Sequence, residues 1–116
     1  MIDILLSSSY FVVNTKLCKE LGFREGIFFS ALFNQLQNDR KNKRTVYIEG
    51  KEYFAISRTK ILDVTSISKE SQRKLQFKLI EKGLLEMIVL GVRKMIYYRI
   101  DESVLEDILI NPIMHN

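Results

Sequence analysis

Ser57-Arg58-Thr59-Lys60-Ile61-Leu62-Asp63-Val64-Thr65-Ser66-Ile67-Ser68-Lys69-Glu70-Ser71-Gln72-Arg73-Lys74-Leu75-Gln76-Phe77-Lys78-Leu79-Ile80-Glu81-Lys82-Gly83 decides the fold. Ser57 and Ser68 are N-cap residue types, each placed directly before a run with helical spacing. Ile61 and Leu62 point a short first helix, Arg58 to about Val64, inward. Leu75 and Leu79 do the same for a second helix over Lys69–Lys82. Gly83 stands at the C′ position, where left-handed backbone closes a helix. Only Thr65-Ser66-Ile67 separates the two helices, which is helix-turn-helix spacing. Ser66 occupies the turn position where Gly is usual, at a cost of about 1 kcal/mol for positive φ.

A hairpin is predicted on each side of this unit. Downstream, Leu84–Leu90 and Met95–Ile100 are β-rich runs joined through Gly91-Val92-Arg93-Lys94. That is the place of a wing. Upstream, Thr45–Ile56 alternates with period two around Glu49-Gly50-Lys51-Glu52. Before that, apolar residues at Phe23, Ile27, Phe28, Ala31, Leu32 and Leu36 predict a long core-facing helix, widened by Phe29 and Phe33. Asn38, Asp39 and the basic run 40–44 are expected to end it in an exposed loop. Asn14-Thr15 caps a short helix, Lys16–Leu21, after the β-prone run Tyr10–Val13. Asp101 caps a last helix with Val104, Leu105, Ile108 and Leu109 on one face, and Pro112 stops it. The expected fold is α+β: a winged helix-turn-helix of helices with two β-hairpins, the second being the wing. The expected domain is single, 1–116, with its core at 10–100 and a C-terminal helix and tail at 101–116.

The chain has 116 residues with a formal net charge of +4, and the charge is segregated. Residues 1–39 carry three basic and four acidic side chains, residues 40–100 fifteen and six, and residues 101–116 none and four. A basic centre points to an anionic partner. Cys18 is the single cysteine and His115 the single histidine. Internal disulfides, zinc fingers and imidazole-based catalysis find no support in such a set. No phosphate-binding glycine motif and no local carboxylate cluster in the basic region suggests an enzyme. The expectation is a non-catalytic protein without cofactor or metal. No membrane span or signal peptide is read from the sequence, and a lone thiol favours the cytoplasm.

Val46-Tyr47-Ile48-Glu49-Gly50-Lys51-Glu52-Tyr53-Phe54 followed by Ser57-Arg58 resembles the N-terminal domain of plasmid and phage replication initiators of Gram-positive bacteria, and of replisome organisers of the DnaD type. Ser68-Lys69-Glu70-Ser71-Gln72 and Glu81-Lys82-Gly83-Leu84-Leu85 are similar to the frame of their recognition helix. The resemblance spans about residues 10–100, and its motifs are shared by many winged helices. It implies binding to double-stranded DNA in replication initiation or transcriptional control of a mobile element. Gln72 and Gln76 depart from the pattern, since an apolar residue usually faces the first helix there.

The expected contacts follow from helix phase and side-chain chemistry. Lys69 and Ser71 lie in the first turn, which helix-turn-helix domains insert into the major groove. Gln72 and Arg73 are base-reading types, for adenine and guanine. Lys74 and Lys78 suit phosphates, joined by Arg58 and Ser68 near the turn, Arg93 and Lys94 at the wing tip, and Arg40, Lys41, Lys43 and Arg44 in the basic loop. Phe77 and Ile80 are expected to be buried against the wing. The wing itself is unusually apolar, which predicts a homodimer through the wing or through Leu105, Ile108 and Leu109 of the last helix. The alternative function is a protein-interaction module on the same fold, docking replication proteins or inhibiting them without touching DNA. The apolar wing, Glu70 and the acidic C-terminal segment favour that alternative.

Overall fold

A computed structural model describes residues 12–110. Their order is α1 (Thr15–Leu21), α2 (Phe23–Lys41), β1 (Val46–Ile48), β2 (Lys51–Ala55), α3 (Arg58–Thr65), α4 (Lys69–Glu81), β3 (Leu85–Leu90), β4 (Met95–Ile100) and α5 (Glu102–Ile110). The fold is α+β, with five helices and one four-stranded antiparallel sheet among these residues.

Local capping sets most boundaries. Asn14 Oδ1 accepts from the Leu17 amide at 3.1 Å, Ser57 Oγ from Lys60 at 3.0 Å and Ser68 Oγ from Ser71 at 3.2 Å. Asp101 Oδ1 accepts from the Ser103 and Val104 amides at 3.1 and 3.2 Å. Each satisfies an amide that the first helical turn cannot. Ser66 takes left-handed backbone, φ 63°, between α3 and α4. The first hairpin turns more tightly than its sequence suggests, on Glu49 and Gly50 alone, both with positive φ. Val12 and Val13 form no strand. Tyr10, Phe11 and Pro112 lie outside the described residues.

The two hairpins are one sheet. β2 pairs with β4 through Phe54↔Tyr98 and Ala55↔Tyr97, giving the order β1-β2-β4-β3. The helices cover the face that presents Phe54, Tyr98 and Leu85, and these join Phe28, Phe29, Leu32, Ile61, Leu75 and Leu79 in one core. α1 crosses α2 at Gly26, where a Cβ would lie 2.6 Å from Cys18 Sγ and Cα, so only hydrogen fits there.

Two expectations about elements are corrected. α2 does not end before the basic run: it continues through Lys41, so Arg40 and Lys41 are helical. Asp39, on the same turn, is buried and accepts from Gln35 Nε2 at 2.8 Å. The last helix is no free surface either. Leu105 and Ile108 belong to the core cluster, and Leu109 packs half-buried against it. Two of the three expected dimer contacts, Leu105 and Ile108, are thus corrected, because they are buried within the chain, while Leu109 is half-buried. No described helix is long and apolar enough to cross a membrane.

Candidate nucleic-acid interface

α4 is held from its inner face by Gln72, Leu75, Gln76 and Leu79, all buried. The two glutamines act as polar core. Gln72 Nε2 donates to the carbonyls of Arg58 at 3.0 Å and Ile67 at 2.9 Å. These are backbone oxygens at the start of α3 and within the turn, so one amide locks α4 onto α3. Gln76 Oε1 accepts from Arg58 Nη2 at 2.9 Å and from the Tyr98 hydroxyl at 3.2 Å. It thereby ties α3, α4 and β4 together. Burial pushes the Tyr98 phenol above its ordinary value of 10.0, so it stays a donor. Gln72 supplies a donor and Gln76 an acceptor without charge, satisfying groups that would be costly to leave alone, although Gln72 Oε1 itself is buried without a partner.

One expected DNA contact is corrected by this arrangement: Gln72 is fully buried and reaches no partner outside the chain. Arg58 is half-exposed; its Nη2 donates to Gln76 and its Nη1 is buried without a partner. Arg40 is a second correction. Its guanidinium donates to Glu52 at 2.7 and 3.0 Å and also pairs with Glu102. These bonds raise its pKa and draw Glu52 below its ordinary 4.5, and both charges are taken up within the chain. The hydroxyl of Ser68 serves the helix cap, donating to Ser71 Oγ at 3.0 Å.

The remaining cations are exposed. Lys69, Arg73, Lys74 and Lys78 lie on the outer side of α4. Lys78 Nζ stands 3.9 Å from Glu25, a long contact that leaves its side chain largely in solvent. Lys69, Arg73 and Lys74 make no ion pair among the described residues. Arg93 and Lys94 occupy the β3–β4 turn, and Lys41, Lys43 and Arg44 the α2–β1 connection, all exposed. Helix phase also brings out three residues that the sequence reading set aside or missed. Glu70, Phe77 and Glu81 are exposed on the same side as Lys74. Phe77 is 60% exposed and not packed against the β3–β4 hairpin, whereas Ile80 is half-buried against the core. The signal was present: taking Gln72 and Gln76 as inward residues turns Phe77 outward.

The β3–β4 hairpin divides at its middle. Leu84 and Leu85 are buried, Met87, Ile88 and Ile96 half-buried, and Val89, Leu90, Val92 and Met95 exposed towards the turn. Arg99 pairs with Glu86 across the strands at 3.3 Å.

No family model matches the sequence, and no curated protein matches it. Solved structures do. One, described as "N-Terminal domain of DNA binding protein", has a TM-score of 0.60 and 21% identity, over 93% of this chain and 89% of that one. Another, described as "Structure of Rep-DNA complex", has a TM-score of 0.61 and 20% identity, over 92% of both chains. The likeness is one of fold, and it runs along nearly the whole chain.

Proposed function

We propose that the chain is a non-catalytic winged helix-turn-helix domain that binds double-stranded DNA in the cytoplasm, in replication initiation or transcriptional control of a mobile element. α3 and α4 are the helix-turn-helix, α4 enters the major groove, and β3–β4 is the wing. The observation that carries this reading is the outer side of α4, where Lys69, Arg73, Lys74 and Lys78 stand exposed directly after the three-residue turn. The solved structures of the same fold, described as a DNA-binding domain and a Rep-DNA complex, support the choice of partner. Arg73 is the base-reading candidate, and Ser71, half-buried in the first turn, retains its place beside it. Arg93, Lys94, Lys41, Lys43 and Arg44 flank as phosphate contacts.

Mobility shifts on random duplex DNA across a salt series test the proposal. About six phosphate contacts give a slope of log affinity against log salt near −5. Lys74→Ala and Lys78→Ala should weaken all duplexes equally and flatten that slope by about one unit each. No shift at low salt would refute DNA binding. It would favour the protein-interaction module, whose supporting observation is the apolar distal half of the wing. That same half-hairpin is where we place self-association, now that α5 is core. Light scattering at about 10 μM should give twice the chain mass, and Val92→Asp should return the monomer without unfolding it.

A further inference from the structure

Phe77 is the one large apolar side chain on the outer side of α4 among the described residues, and it is 60% exposed. At about 100° per residue, Glu70, Lys74, Phe77 and Glu81 form the line opposite the buried Gln72, Leu75, Gln76 and Leu79. Arg73 and Lys78 flank that line, one on each side. The outermost strip of the helix is thus an aromatic ring and two carboxylates around a single lysine, with cations at its borders.

This order matches a groove better than a phosphate backbone. Phosphate offers neither an apolar surface nor a hydrogen-bond donor, and two carboxylates repel it. Lys74 and Lys78, toward one side of the strip, are placed for a phosphate backbone, while Arg73 and Phe77, toward the other, face base edges. Among those edges, thymine alone presents an apolar group in the major groove, its C5 methyl, and phenylalanine is a side chain that packs on it. From Glu70 to Phe77 the helix rises about 10.5 Å, comparable with three base steps of about 3.4 Å. Phe77 therefore reaches bases beyond those met by the first turn.

We propose that Phe77 is a specificity-determining residue that recognises thymine through its C5 methyl group in the major groove. The proposal rests on the DNA-binding reading above and adds a base and an atom to it.

The test starts by selecting duplexes from a random library with the wild-type chain. Each thymine of a selected duplex is then replaced by deoxyuridine, which removes only the methyl. One position should weaken wild-type binding about fourfold, the equivalent of one buried methyl at about 0.8 kcal/mol. Phe77→Ala should bind the thymine and deoxyuridine duplexes equally, with the wild-type salt slope and an unchanged melting temperature. Salt-sensitive binding without any thymine-dependent position overturns the role of Phe77 and leaves DNA binding standing. Full methyl dependence retained by Phe77→Ala overturns that role as well. A chain that binds no duplex fails the underlying reading instead. The deoxyuridine series on the wild-type chain finds the methyl-reading position, and Phe77→Ala, at a side chain 60% exposed, assigns it.

Discussion

Ser66 holds φ 63° in the three-residue turn, a conformation that disfavours every side chain carrying a Cβ. Ser66→Gly should therefore stabilise the chain by about 0.5–1 kcal/mol, after the entropy that glycine adds to the unfolded state. Thermal unfolding should show a rise of about 2–4 °C. Gln72 makes the opposite case. Its amide bridges two carbonyls from a fully buried position. Gln72→Ala should cost about 2–3 kcal/mol through lost hydrogen bonds and a cavity, and leave base preference untouched. Arg73→Ala should leave stability unchanged and alter preference. Denaturant midpoints beside binding to a duplex panel separate the two. A change of preference in Gln72→Ala at unchanged stability would contradict its placement in the core.

At the scale of elements, α5 decides between two roles that its sequence allows equally. Val104, Leu105, Ile108 and Leu109 form a stripe that suits either a partner or the domain's own core. Ile108 is 2% exposed against the core cluster. Ile108→Asp should therefore unfold the chain, since an unpaired carboxylate at such a place costs about 4 kcal/mol or more. A folded monomer from this variant would restore α5 as an interface. Circular dichroism with light scattering reads both outcomes.

For the whole molecule, the bonds from Arg40 to Glu52 and Glu102 join α2, the first hairpin and α5. The Arg40 side chain holds Glu52 below its ordinary 4.5, against the opposing effect of burial. A carboxylate lowered in the folded state contributes stability above its unfolded value and loses it as pH falls through the folded one. Stability should thus be flat from neutral pH to about 5 and decline below. Glu52→Gln should be less stable by about 1 kcal/mol at pH 7, given partial exposure of the pair. The gap to wild type should close by about pH 2. Urea midpoints across that range measure it, and a constant gap would show that Glu52 acts through packing.

What the sequence determined by itself is what chain neighbours decide. The caps at Asn14, Ser57, Ser68 and Asp101, the glycine after α4, the period-two run of the first hairpin and the β-rich runs of the second act within a few residues. They placed the helices and strands, and the short connection between α3 and α4, almost as observed. The tertiary structure decided whatever depends on partners distant in sequence. It joined the hairpins through Phe54 and Tyr98, since strand edges pair with whichever edge the fold brings alongside. It turned Gln72 and Gln76 inward, where Arg58 and Tyr98 supply polar groups for their amides to bond. It removed Arg40 from the available cations, because acids 12 and 62 residues away meet it. With α4 anchored in that phase, Phe77 was left facing solvent. A charged or polar residue type shows what a side chain is able to bond, and only the folded chain decides whether those bonds are made within the molecule or left for a partner.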